Sequence, residues 1–268
     1  IFSVYNKSVF NGETINNLHM DYDFAPAIAK SDPRIESYLR VHKTFGTAPI
    51  ISNPATSNKF AENKGWFADA NFFQFFSFKL LHGDLKTALS QPFAFVISER
   101  LAHKYFGNEN PIGKTLQFKL EESYPVKVTG VMRNMPSNTD IDADFIISLS
   151  SMNAIKEDDI IRNGTNFKTY FTLKEASHAP HVRQSIQKFF EQSQDFKGTS
   201  LLNPLAEEHL TFTNTSASQY LAIFTLVAVL ILFLALVNYM SLSTARATAR
   251  AKEIGIRKVT GASRQSVA

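Results

Sequence analysis

Twenty-one consecutive residues, Tyr220 to Met240, carry no charged side chain, and Thr225 and Asn238 are the only strongly polar positions among them. As a helix rising about 1.5 Å per residue the run is about 31 Å long, which matches a bilayer hydrocarbon core of about 30 Å. A buried helix of a soluble protein is the alternative, but such helices seldom hold so long and pure an apolar run. Before residue 215 the pattern is finer. Phe24 to Lys30, with Pro26 near its start and Ser31-Asp32-Pro33 at its end, predicts a short helix, and Ile35 to Phe45 reads as extended. Phe167 to Leu173 alternates as a strand; His181 to Gln192 places Val182, Ile186, Phe189 and Phe190 at helical spacing; Ser200 to Phe212 reads as extended. Strand, helix, strand units at both ends suit one α/β layer built from both.

The middle has another texture. Asn71 to Phe78 is dense in Phe, and Phe93 to Ile97 reads as a short strand. Ser98 is a plausible N-cap for a helix to Phe106 with Leu101, Ala102, Tyr105 and Phe106 on its apolar face, and Gly107 can end it. Asn110 to Gly113 is a turn between that helix and two strands, Lys114 to Leu120 and Val126 to Met132. Residues 66–140 therefore read as an inserted subdomain. The fold class predicted is α+β, a two-part domain followed by one transmembrane helix at 220–240.

Charge orients that helix. Lys and Arg total 28 against 24 Asp and Glu, but residues 241–268 hold six of the bases and one of the acids, which leaves 22 against 23 for residues 1–240. Arg246, Arg250, Lys252, Arg257, Lys258 and Arg264 follow the apolar run closely, whereas Asn214 to Gln219 before it are uncharged. Short basic flanks stay cytoplasmic, so residues 1–215 are expected outside, with Tyr220 and Tyr239 near the two headgroup layers. A nearly neutral outer part gives no footing for nucleic acid. Cysteine is absent, so no disulfide supports it. No secretory signal precedes it, which predicts an earlier membrane helix upstream of this sequence.

Four spacings tempt a chemical reading, and each has a plainer one. Gly107 to Thr115, GNENPIGKT, has five residues between Gly107 and Gly113 where a phosphate-binding loop has four, and Pro111 removes a donor. Ser185 and Lys188 match a Ser-x-x-Lys spacing, but neither Ser-Asp-Asn nor Lys-Thr-Gly occurs in the chain. His178 and His181 flank Pro180 with no carboxylate pair nearby, which favours a surface turn over a metal pair. Asp140, Asp142 and Asp144 alternate with Ile141, Ala143 and Phe145, which predicts one solvated strand face rather than a calcium site. Nothing here predicts catalysis, and no cofactor or metal is implied.

Ser241 to Ala268 is rich in Ala and charge and can extend the helix; Gly255 and Gly261 are weak points that predict a bend and a second short helix from near Ser263. Its wording is more specific than its charge. Asn238 to Arg246, NYMSLSTAR, and Arg250 to Arg264, RAKEIGIRKVTGASR, closely resemble the FtsX-like permease family, the membrane subunits of MacB-type ABC transporters. In that family this stretch follows the second membrane helix and carries a coupling helix that docks on the cytoplasmic ATPase. The resemblance implies that Glu253, Gly255, Arg257, Lys258, Gly261, Ala262, Ser263 and Arg264 are the ATPase-coupling contact here. Thr260 departs from the pattern, standing where other members often have Leu or another apolar residue.

The outer part resembles the MacB-like periplasmic core domain. FADANFFQFF from Phe67 to Phe76, Leu81-His82-Gly83-Asp84, Ile97 to Ala102 with Phe106-Gly107, Asn110 to Thr115 and Val128 to Val131 follow in the family's order. The resemblance implies a Porter-like α/β subdomain from residues 1–65 and 141–215, a Sabre-like insert at 66–140, and an incomplete cytoplasmic segment at 241–268. The implied protein is a non-catalytic permease subunit in a bacterial inner membrane that relays ATP hydrolysis to a periplasmic domain. Its implied partners are an ABC ATPase, a second permease copy or half, and a periplasmic adaptor or substrate protein. A membrane-anchored sensory receptor is the alternative; an anchored enzyme would need a polar constellation that the residues lack.

Overall fold

The computed structural model describes residues 1–10, 13–43, 48–56, 58–136, 139–155, 167–192, 198–212 and 217–261. They fall into two compact units, Ile1–Glu208 and His209–Ala268. In the first, β1 (Phe2–Phe10), β2 (Glu13–Asn17), β3 (His19–Met20), α1 (Phe24–Ser31) and β4 (Ile35–Lys43) are followed by β5 (Ile50–Ser52), β6 (Lys59–Ala61), β7 (Gly65–Ala68), α2 (Phe72–Phe75) and β8 (Leu80–His82). Next come β9 (Ala94–Ser98), α3 (Glu99–Phe106), β10 (Thr115–Lys119), β11 (Ser123–Met132) and β12 (Phe145–Ser148). The unit closes with β13 (Phe167–Leu173), α4 (Ala179–Glu191), β14 (Gly198–Pro204) and the start of α5 (Leu205–Phe212).

The strands hydrogen-bond in the order β14-β1-β13-β4-β7-β12-β9-β11-β10-β5-β6, with β2 on β1, β3 on β13 and β8 on β11. Two pairs are parallel, β7 with β12 and β9 with β11; the other pairings are antiparallel. Strands from both ends of the unit interleave in β14-β1-β13-β4, where α1 and α4 cover one core: Phe24 and Ile28 from α1 and Val182 and Ile186 from α4 pack with Val4, Phe171 and Leu202. Pro180 lies in the first turn of α4, where its missing N–H is harmless.

The central strands are buried on both faces, so their sequences are apolar runs rather than alternations. Phe95, Ile97, Phe145 and Ile147 point into a core with Leu101 and Tyr105 of α3; Val96, Ile146, Trp66 and Ala68 point into a second with Phe72 and Phe73 of α2. Burying one such side chain contributes about 1.5–3 kcal/mol. Gly65 exists for one of them. It lies opposite Phe145 in register, and a Cβ on it would sit 2.0 Å from Phe145 Cζ.

Local signals place α1, α3, β13 and α4 closely. The Ser98 side chain accepts the Leu101 N–H, and Gly107 closes α3 at φ 61°. Two expectations are corrected. Ser200 to Phe212 is extended only as far as Pro204; the helix α5 comes next, since LAEEHL is made mostly of helix formers and its acids favour a helix N-terminus. Residues 140–144 are not a strand, because β12 begins only at Phe145. The three acids there diverge: Asp140 and Asp142 are exposed, the latter beside Lys64, while Asp144 is buried and pairs with the exposed Arg100.

The second unit takes in the end of α5 and the helix α6 (Ala217–Val259), 43 residues long. Its segment Ala222–Val259 is long and apolar enough to cross a membrane, and none of its most apolar window is buried within the chain. The helix continues through Gly255, and of the two weak points it is Gly261, at φ +90° just beyond Val259, where the chain leaves the helix. One exposed Gly costs about 1 kcal/mol, which the cooperative helix on both sides absorbs. The second short helix predicted from Ser263 lies outside the described residues.

Candidate functional site

Five of the eight residues singled out for coupling lie together at the end of α6, and Ala262, Ser263 and Arg264 lie outside the described residues. Where the apolar run gives way to basic residues, Thr244 Oγ1 donates to the Met240 carbonyl and Thr248 Oγ1 to that of Thr244, each at 2.8 Å. These hydroxyls are satisfied by their own helix and leave its surface small and smooth. Arg257 Nη2 donates to Glu253 Oε1 at 2.6 Å, one turn apart with the acid N-terminal, the favourable orientation.

Thr260 then closes the helix. Its hydroxyl donates to the carbonyls of Ile256 and Arg257 at 3.1 and 3.0 Å, and Gly261 takes φ +90°, a conformation that glycine adopts without strain. Ile254, Ile256 and Val259 are 43, 58 and 89 % exposed between these charges. Apolar knobs beside the Glu253–Arg257 pair and Lys258, which makes no ion pair among the described residues, suit a protein contact. Among its described residues this surface presents no activated nucleophile or base.

Polar groups in the first unit serve its joints. Arg40 donates from Nε and Nη2 to the two oxygens of Asp69 at 3.0 and 2.8 Å, and its guanidinium lies 4.3 Å from the Tyr22 ring centre. This bidentate pair ties β4 to the segment after β7. Tyr105 Oη and Lys104 Nζ both donate to Glu62 Oε1, at 2.9 and 2.6 Å, and burial followed by that carboxylate pushes the Tyr105 phenol well up. Asp144 accepts from Arg100 and from the Ser98 hydroxyl. A cleft of about 340 Å³ runs between Lys64, Arg100, Asn134, Asp142 and Asp144, but both of its cations are already paired.

The tempting spacings resolve as structure. In Gly107 to Thr115 the amides are committed: Ile112 N–H to Asn110 Oδ1, Gly113 N–H to the Val128 carbonyl at 2.7 Å, and Lys114 N–H to that of Pro111. No phosphate cradle is left. Ser185 lies beside Asp32, whose carboxyl it helps hold ionised, rather than beside a reacting group. Burial pushes Asp32 up, but bonds from Arg34 and Ser185 overcome it and hold the carboxyl below its usual range. Among the described residues no three His, Cys, Asp or Glu side chains converge as metal ligands. Sequence reasoning missed Arg40, Asp69 and Glu208, whose partners are far away in the chain and leave no local signal.

Comparison with known proteins supplies what geometry cannot. Residues 2–189 match the family model of the MacB-like periplasmic core domain. Among the solved structures that share the fold are the following three. One is a domain assigned to a permease protein from Porphyromonas gingivalis, 20% identical with a TM-score of 0.59, covering 76% of this chain and 88% of that one. Another is the periplasmic region of MacB from Actinobacillus actinomycetemcomitans, 17% identical with a TM-score of 0.56, covering 81% and 94%. The extracellular domain of the noncanonical ABC-type transporter YknZ from Gram-positive bacteria is 11% identical with a TM-score of 0.53, covering 76% and 100%. No curated protein sequence matches.

Proposed function

The chain belongs to the MacB-like periplasmic core domain family, and from that premise we propose that it is part of an ABC-transporter permease of the MacB and FtsX type that transmits cytoplasmic ATP hydrolysis to its outer domain. The observation that carries the proposal is a family domain followed by one continuous helix, α6, whose apolar stretch suits a membrane and whose basic end carries exposed Ile254, Ile256 and Val259. In this reading the first unit lies in the periplasm of a bacterium, α6 crosses the inner membrane, and Glu253 to Arg264 meet a separate ABC ATPase. A second permease copy or half completes the membrane part, and an adaptor or substrate protein engages the outer domain.

The outer domain works in this proposal as two parts, 1–65 with 141–215 and 66–140. These are parts of a moving body rather than separate sheets, since the pairings of β5 with β10 and of β12 with β9 cross the division. The permease itself performs no chemistry. Closure of ATP-bound ATPase subunits shifts α6, and the shift does work outside, whether by expelling a molecule, moving a lipoprotein or controlling a cell-wall enzyme.

The test lies at the helix end. Arg257→Ala and Gly261→Val should leave the protein in the membrane while ATP hydrolysis by the reconstituted transporter loses its response to substrate. Gly261→Val acts by forcing a branched residue into φ +90°. Normal coupling in both variants would sink the assignment. A sensory receptor would instead transmit ligand binding inward, with no ATPase bound at this helix end.

A further inference from the structure

The first turn of α5 carries Leu205 and Glu208, three residues apart on one helix face. Leu205 packs against the core that contains Tyr170, and its N–H donates to the Ile1 carbonyl at 3.0 Å. Glu208 follows it into the fold and is only 4 % exposed, while Ala206 and Glu207 face solvent. A carboxylate that deep is normally paired. Here the pairing is poor. Lys168 Nζ on β13 stands 3.7 Å from Glu208 Oε1, long for a charge-assisted hydrogen bond.

Glu208 Oε2 has no hydrogen-bond partner of good geometry, and neither has Ser3 Oγ on β1, although that hydroxyl is close enough to influence the carboxyl. The other ionisable groups facing Glu208 are Asp140, from the segment before β12, and Tyr170 on β13; His19 on β3 lies beside Lys168.

We propose that Glu208 is a proton-operated joint: as the neutral acid it holds the first turn of α5 against β1 and β13, and as the carboxylate it weakens that hold. A neutral acid costs far less than a carboxylate in a site this buried with Lys168 Nζ 3.7 Å away, while Ser3 Oγ, as donor or acceptor, can pair with Glu208 in either state. Protonation also removes the repulsion with Asp140. Burial pushes Glu208 above the ordinary carboxyl range; Lys168 pulls it back, Asp140 pushes it further, and Ser3 pulls it back.

The sign comes from the raised folded value. The protonated hold is complete below the ordinary Glu value of about 4.3 and is lost as pH rises through the raised one. Glu208 lies within the first unit, so the joint acts on the first turn of α5 against that unit's own strands. On the orientation proposed above, the pH it senses is that of the periplasm; the joint and its test do not depend on that reading.

Hydrogen–deuterium exchange on the full-length protein in nanodiscs, from pH 5 to 8 and corrected for intrinsic exchange, tests the proposal. Protection of peptides spanning 205–212 should fall as pH rises, by up to about tenfold for each pH unit between the two carboxyl values. In Glu208→Gln, which stays neutral, that dependence should vanish with protection kept high, while peptides over β9 report an intact fold. Asp140→Asn should move the midpoint to lower pH and Lys168→Met to higher pH. Should Glu208→Gln fail to fold, the two opposite midpoint shifts decide. A flat wild-type profile, a persisting titration in folded Glu208→Gln, or unmoved midpoints in the other two variants would each overturn it.

Discussion

Gly65 shows how much one side-chain position decides. The ring of Phe145 occupies the space that any Cβ at residue 65 would need, and that ring is itself fixed by Phe95 and Phe118, with centroids 5.2 and 6.1 Å away. Neither strand can shift alone, because β7 and β12 are paired over four residues and β12 is held on its other edge by β9. Gly65→Ala should therefore cost about 1–3 kcal/mol, the usual size of an overpacked core. Phe145→Leu makes room, so the same glycine change should cost less in that background. Thermal denaturation of the four proteins gives the coupling directly, and strictly additive losses would show that the clash is not the cause. Buried carboxyls at this scale pull in opposite directions. Asp32, held low by Arg34 and Ser185, stabilises the fold above the ordinary Asp range, and that contribution disappears as pH falls through the lowered value. Glu208, held high by burial, contributes with the reverse sign.

In the proposed relay, transmission depends on helix α6. A relay along a helix needs unbroken hydrogen bonding, and α6 keeps it across the change from apolar to basic residues and through Gly255. Ala247→Pro removes one N–H and drives a ring against the Ser243 carbonyl, a kink that costs about 3 kcal/mol or more. The expected result is ATP hydrolysis that continues while hydrogen exchange in the first unit stops responding to ATP; Ala247→Leu should keep the response. A proline variant that still transmits would exclude a stiff rod. Elements of this kind are legible where their cause is local. The apolar run announces α6, Ser98 and Gly107 bracket α3, and alternation marks β13. Cause at a distance is not legible: that β12 lies parallel to β7, that Arg40 meets Asp69, and that Asp144 turns inward to Arg100 are all consequences of which strands pair. The misreading of 205–212 has the same root, since Pro204 marks a break in the strand without specifying the helix beyond it. The residues proposed for coupling rest on their wording rather than on any physical pattern.

For the whole molecule the decisive property is direction across the membrane. Residues 1–240 are nearly neutral and residues 241–268 are strongly basic, which by the positive-inside tendency predicts a cytoplasmic helix end. Absence of cysteine makes the test clean, because any thiol introduced is the only one in the described sequence. Lys86, in the turn after β8, and Lys258, near the end of α6, are both exposed and in positions where a smaller side chain strains nothing. In intact cells whose outer membrane has been made permeable, a maleimide that cannot cross the inner membrane should label Lys86→Cys within minutes. Lys258→Cys should react only after the inner membrane is opened. Labelling of both in intact cells would mean that α6 does not span the membrane. The reverse pattern would put the MacB-like domain in the cytoplasm and remove the basis for an ATPase contact at Glu253 to Arg264. The predicted order of labelling is therefore a condition for the relay as well as for the topology, since a helix that couples ATP hydrolysis to the periplasm must present its basic end to the compartment that holds ATP.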